Sequence, residues 1–138
     1  RRQRQMCIRD RSSITQAAAA AALEADPSVT SAMVAAFRRR RALMVEGLNE
    51  VQGFKVNQPM GAFYVFPDVS ALFGKSFEGK TLENSDDLAF FLLEKAQVAS
   101  VPGAAFGTPE CIRLSYAASD AVLQEAVSRI QKACALLV

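Results

Sequence analysis

Residues 98–127 read VASVPGAAFGTPECIRLSYAASDAVLQEAV. Within this stretch Ile112, Leu114 and Tyr116 alternate with Cys111, Arg113 and Ser115, the period-2 pattern of a strand with one buried face. Upstream, Val98 to Val101 is a short apolar run stopped by Pro102-Gly103, and a loop of small residues leads on to Pro109. Downstream, Ser119-Asp120 supplies a cap and a first-turn acid for a closing helix. That helix has one apolar face, made by Val122, Leu123, Ala126, Val127, Ile130, Ala133, Cys134 and Leu137.

The same alternation of element types continues upstream. Ser12 or Ser13 opens a helix through the alanine run that ends at Leu23, and Asp26-Pro27 is the cap-and-proline start of a second, long helix. Nothing breaks the second helix before Gly47 or Gly53. Its apolar positions Val29, Met33, Phe37, Met44 and Leu48, with Ala36 and Leu43 beside them, predict one face buried along about 20 residues, or roughly 30 Å. After Gly53 come two short β runs, Phe54–Val56 and Ala62–Phe66, expected to pair. Residues 74–85 (GKSFEGKTLENS) are polar and aperiodic and read as a surface loop. Ser85 then opens a helix to about Ala96, with Leu88, Phe91, Leu92 and Ala96 facing inward. The order from residue 27 is α-β-β-α-β-β-α. Strands this short and this interrupted by helices cannot make a sandwich, so the expected fold class is α/β, in the α+β sense of a small sheet covered by helices and preceded by a long helix.

Composition narrows the chemistry. The chain has 138 residues, 51% of them apolar, enough for one core. Its longest uncharged stretch near the start, Ser12–Leu23, has 12 residues, short of the roughly 20 needed to span a membrane. There is no histidine, which removes a histidine base, a Ser-His pair and a His-ligated metal from this chain. Three cysteines (Cys7, Cys111, Cys134) form neither a disulfide framework nor a zinc pattern, so no metal site is expected and a cytoplasmic setting is the default. The net charge of +2 is uneven: the first eleven residues carry five arginines against Asp10, and the remainder is slightly acidic. The arm at residues 1–12 has no periodicity and resembles translated sequencing-adapter DNA, so it is read as non-native. With it goes the basis for nucleic-acid binding. The Arg38–Arg41 run sweeps about 300° of a helix and makes no phosphate stripe; it reads as a largely solvated face.

Three features have the residue types for binding. Arg113 is the one charged side chain in its strand, on the face opposite Ile112 and Leu114. A planar fork there suits a carboxylate, whether that of a ligand or of a protein Asp or Glu, and solvent would serve as well. Residues 101–107 (VPGAAFG), bulky only at Phe106, and residues 60–66 (MGAFYVF) allow close backbone approach, and each is also an ordinary turn into a strand. The cysteines read as core filler.

Taken in order and spacing, SSITQAAAAAAL, the long helix ending in GLNEVQGF, PMGAFYVFPDVS, VASVPGAAFG and IRLSYAASDAVLQEA resemble the C-terminal part of class I aminotransferases, above all bacterial aspartate aminotransferases that also accept prephenate. The resemblance covers residues 13–138. It implies the fold type I architecture, with 13–26 ending the large domain, 27–53 the long linking helix and 54–138 the small C-terminal domain. It also implies pyridoxal 5'-phosphate as cofactor, amino-acid and 2-oxo-acid substrates, a homodimer when full length, and no nucleic-acid or membrane partner. By the same resemblance Arg113 grips the substrate α-carboxylate, Phe106 lies near the cofactor pocket, and Gly61, Ala62 and Phe63 form part of the wall beside the substrate. The family's cofactor-bearing lysine and its ring contacts lie upstream of what is present. None of Lys55, Lys75, Lys80, Lys95 and Lys132 matches the motif, so a C-terminal fragment inactive by itself is expected. The alternative left open by the residues alone is a free-standing α+β small-molecule-binding or regulatory module without catalysis.

Overall fold

Three polar side chains set where helices begin. Asp26 accepts from the Ser28 amide at 2.8 Å, Asn84 accepts from the amides of Asp86 and Asp87, and Ser119 Oγ accepts from the Val122 amide. Each satisfies backbone donors that the first helical turn leaves without a partner. The computed structural model describes residues 12–138; the reading of residues 1–12 as a non-native arm lies, but for Ser12, outside the described residues. The helices are α1 (Ser13–Glu24), α2 (Ser31–Asn49), α3 (Ser85–Phe91) and α4 (Asp120–Cys134). The long helix departs slightly from expectation. Its first turn, Pro27–Thr30, is 3-10, and the α-helix proper ends at Asn49.

The chain divides into two units, residues 1–34 and 35–138. In the first, as far as it is described, every residue is exposed. Val29 and Met33, predicted to be buried, are therefore open, and burial along α2 begins only at Ala36 and Phe37 and reaches completion at Met44 and Leu48. The apolar spacing is right for a buried stripe, but within this chain the stripe is only half covered.

The second unit has a three-stranded antiparallel sheet in the order β1 (Tyr64–Val65), β5 (Ile112–Ser115), β4 (Val101–Pro102). Tyr64 lies opposite Ser115, Val65 opposite Leu114, and Val101 opposite Arg113. Because side chains alternate along a strand, Val65, Ile112 and Leu114 share one face while Tyr64, Val101, Arg113 and Ser115 share the other. The first set is fully buried beneath α2, α3 and α4, in a core with Leu48, Leu88, Leu92 and Ile130. The second set is half-buried or exposed. Helices thus cover one face of the sheet and leave the other open.

Three expectations change. Phe54–Val56 forms no strand: Lys55 makes a single bridge to Asp68, which in turn bridges Cys111. Asn49 Oδ1 takes the Val56 amide and Pro59 has no amide to give, so the ladder cannot extend. Residues 98–101 contribute only Val101 to a strand, since the Val98 amide closes the preceding helix on Leu92 O. Residues 74–85 contain a hairpin, β2 (Ser76–Phe77) with β3 (Lys80–Thr81). Its two-residue turn, Glu78-Gly79, has both φ angles positive (49° and 80°), the primed geometry whose twist matches antiparallel strands. The helix predicted through Ala96 is α-helical to Phe91 and then widens into a π-helical turn, Leu92–Ala96, ended by left-handed Gln97; Leu88, Phe91, Leu92 and Ala96 are buried as expected. On α4, Val122 faces solvent and Ala126 is half-buried, while the rest of the predicted face is buried.

Candidate functional site

The open sheet face carries the arginine singled out by sequence. Arg113 is half-buried in the central strand, and its guanidinium carbon lies 4.4 Å from the centroid of Tyr64 and 4.4 Å from that of Phe106. The rings arrive from opposite flanks of β5: Tyr64 belongs to β1, and Phe106 ends the 3-10 turn Gly103–Phe106 that leaves β4. Each ring has its own aromatic neighbour. Phe63 sits 4.4 Å from Tyr64, and Phe66 meets Phe106 edge-on at 6.0 Å. No hydrogen bond or ion pair engages Arg113 among the described residues. Contact with an aromatic ring consumes no N–H donor of a guanidinium, so with no such partner among the described residues this fork has open donors for a planar, two-oxygen acceptor such as a carboxylate.

Two backbone devices hold the rings. A Cβ on Gly103 would run into the carbonyl oxygens of Thr108 and Cys111, so only glycine lets this turn fold onto the start of β5. The Gly103 amide donates to Cys111 O at 2.7 Å, and left-handed Gly107 ends the turn directly after Phe106. On the other side, Tyr116 ties the loop before β1 to the end of β5: its hydroxyl donates to Ala62 O at 3.0 Å and its amide to Phe63 O at 2.9 Å. Ala62 has φ of 59°, a left-handed conformation that a Cβ disfavours, and these bonds help to hold it there.

Of the residues predicted from sequence, Arg113 and Phe106 are in direct contact, and Phe63 joins them through Tyr64. Gly61 and Ala62 are exposed in the adjoining loop, with open space where a Gly61 side chain would be. Sequence reasoning missed Tyr64, Phe66 and Tyr116 as parts of this arrangement. The aromatic run FYVF at 63–66 was the available signal: if Val65 faces the core, Tyr64 and Phe66 must share the other face.

Elsewhere, no cluster of metal-ligating side chains occurs among the described residues, and no helix there is long and apolar enough to cross a membrane. Burial pushes the Cys134 thiol up to about 12, and burial first, then Asp68 and Glu110, raises that of Cys111, so neither is an activated nucleophile. The arginine run is less solvated than expected. Arg39 and Arg40 donate to the two oxygens of Asp120 at 2.6 and 3.1 Å, Arg41 donates to Pro59 O, and among the described residues only Arg38 of the four makes no such bond. Lys95 lies over Phe77 and pairs with Glu78, beside a cleft of about 450 Å³ that also reaches Leu82 and Phe90. No lysine touches Arg113 or its two rings through any ring contact, hydrogen bond or ion pair among the described residues.

The family described as aminotransferase class I and II matches residues 1–130. The chain belongs to that family. It is 49% identical over 126 residues to the bifunctional aspartate aminotransferase and glutamate/aspartate-prephenate aminotransferase of Petunia hybrida, covering 88% of this chain and 26% of the relative. To the aspartate/prephenate aminotransferase of Nitrosomonas europaea it is 46% identical over 120 residues, covering 86% of this chain and 30% of that one. The crystal structure of the aspartate aminotransferase from Rhizobium meliloti superposes with a TM-score of 0.85 at 43% identity, over 92% of this chain and 32% of that chain. The mixed helix and small-sheet fold is thus that of a segment of the fold type I aminotransferases. The chain spans about a quarter to a third of the length of the relatives it matches.

Proposed function

We propose that this chain supplies the α-carboxylate clamp of a pyridoxal-phosphate-dependent transaminase acting between an aspartate-like amino acid and a 2-oxo acid. The observation that carries the reading is the Arg113 fork on the open sheet face, its guanidinium carbon 4.4 Å from the ring centroids of both Tyr64 and Phe106 and with no carboxylate partner among the described residues. The family resemblance puts the substrate-gripping arginine at this position, and the relatives are named for aspartate and prephenate. Pyridoxal phosphate, when bound, acts as an electron sink that weakens a bond at the amino acid's Cα. The chain's own residues work one step removed from that chemistry. Two parallel hydrogen bonds from Arg113 fix the carboxylate plane, and with it the direction of the Cα–H bond. Phe106 and the Gly61–Phe63 loop border the place where the amino acid lies and exclude water from it.

The residues present fit the carboxylate end of a bound amino acid. With no lysine at the clasp, covalent attachment of the cofactor falls to a part of the complete protein other than this segment. The 138-residue chain is accordingly inactive alone, and the complete protein is a cytoplasmic homodimer. The test is Arg113→Lys in the complete protein, which keeps the charge and loses the paired geometry. Hydrogen bonds to a charged group are worth about 1.5–3 kcal/mol, so kcat/KM for aspartate is expected to fall about 10- to 150-fold. A variant that retains half or more of the parent value, or reproducible turnover of aspartate and 2-oxoglutarate by the 138-residue chain, would overturn the proposal.

A further inference from the structure

We infer that Tyr64 and Phe106 are positioning residues for the clamp, their rings holding the Arg113 guanidinium flat and edge-on so that only its in-plane donors meet the substrate. This rests on the reading of Arg113 as the carboxylate clamp.

An arginine side chain has four rotatable bonds before its planar head, and a two-point hydrogen bond to a carboxylate forms only when the two planes coincide. In most settings a second carboxylate or backbone carbonyls fix such a head. Arg113 has none of these among the described residues, and the contacts it does have are two rings at equal distance, 4.4 Å, one from each flank of its strand. A ring is an unusual support in that it attracts the cation without consuming an N–H donor. An acidic neighbour would hold the head as well but would occupy the donors and compete with the substrate. The fork is therefore ordered before a carboxylate arrives, and its donors stay available.

The braces around the rings fit this role. Phe63 against Tyr64 and Phe66 against Phe106 restrict ring rotation. Glycine at 103, forced by the carbonyls it would otherwise strike, sets the turn that delivers Phe106. Phe106 is 46% exposed, so its ring adds little to the core and its place in the fold is not explained by burial.

The test uses the complete, cofactor-loaded protein with four variants: Tyr64→Leu, Tyr64→Phe, Phe106→Leu and Phe106→Tyr. Each leucine variant removes a π face while keeping apolar bulk, and its KM for aspartate is expected to rise about 3- to 10-fold with kcat changed less than twofold. The aromatic exchanges are expected to stay within twofold of the parent. β-Alanine is aspartate without its α-carboxylate, and its slow turnover is expected to be the same in Tyr64→Leu, Tyr64→Phe and the parent. Leucine variants indistinguishable from their aromatic counterparts would overturn the inference, as would an equal loss with β-alanine in Tyr64→Leu. The failure of the clamp itself reads differently. If Arg113→Lys leaves aspartate turnover intact, the underlying proposal falls; if that substitution is damaging and both leucine variants are silent, only the positioning role falls.

Discussion

Helices α1 and α4 have similar lengths, 12 and 15 residues, and opposite reasons for existing. Six consecutive alanines give α1 the best backbone propensity available, and none of its residues is buried. Helix α4 contains Val, Ile, Ser and Cys, all poorer helix formers, yet Leu123, Val127, Ile130, Ala133 and Cys134 are all buried. The first is a helix because of its local composition, the second because of what it packs against. Propensity is worth only tenths of a kcal/mol per residue, whereas a buried aliphatic side chain is worth about 1.5–3 kcal/mol. The comparison teaches that stability in this chain resides in residues 35–138, and that the lead segment contributes apolar surface without gaining from it. Ile14 and Leu23 are 80% and 89% exposed, and Met33 is 60% exposed.

The largest expected effect comes from breaking the packed side of the comparison. Ile130→Ala deletes a fully buried side chain at the centre of the α4 face and should cost about 2–5 kcal/mol, measured by urea unfolding. A loss under 1 kcal/mol would mean that α4 is not held by this core. A smaller, pH-dependent effect sharpens the same point at the helix's start. Hydrogen bonds from Arg39 and Arg40 hold the Asp120 carboxyl below the usual aspartate range. A carboxyl depressed in the folded state contributes stability above its unfolded pKa and loses it as pH falls through the folded value. The parent should therefore lose stability below about pH 4 more steeply than Asp120→Asn, as read from thermal midpoints across pH 2–6. Equal slopes would show that the pair is inert. The smallest effect on stability is expected in the lead segment. Leu23→Gln with Met33→Gln should leave the unfolding free energy within about 0.5 kcal/mol of the parent. The same pair should visibly reduce self-association of the 138-residue chain in sedimentation, because it removes exposed apolar surface. A large destabilisation would show that these side chains are packed.

What could be read in advance follows the same division. The alternation at 111–116, the Ser119 cap and the α4 stripe were legible because each is a local pattern with one physical solution, and Arg113 stood out as a charge in such a pattern. Val122 was misjudged because a stripe drawn from hydrophobicity alone is wider than the face that the neighbouring elements cover. The hairpin at 76–81 was hidden because Glu78 carries no sign of a left-handed backbone; the following glycine was the only cue. Phe54–Val56 had strand composition, but the Phe54 amide was taken by a turn and the Val56 amide by Asn49, leaving only Lys55 to bridge, a matter of tertiary position. The arginines at 39 and 40 found Asp120, about 80 residues away in sequence, which no local pattern announces. The clasp around Arg113 has the same origin. Phe106 could be named from its loop, but that Tyr64 would approach the guanidinium from the other flank of β5 depends on the strand order β1-β5-β4.

The central claim is that Arg113 holds the α-carboxylate, and the most direct measurement is the substrate dependence of Arg113→Ala in the complete, folded, cofactor-loaded protein. The loss in kcat/KM is expected to exceed that of Arg113→Lys and to be of similar size for aspartate and for an aromatic amino acid, because both present the same carboxylate to the same fork. β-Alanine, which lacks that group, is expected to be turned over equally by variant and parent. An Arg113→Ala protein whose kcat/KM for aspartate stays within twofold of the parent would contradict the account and return Arg113 to the status of a strand arginine stacked on two rings.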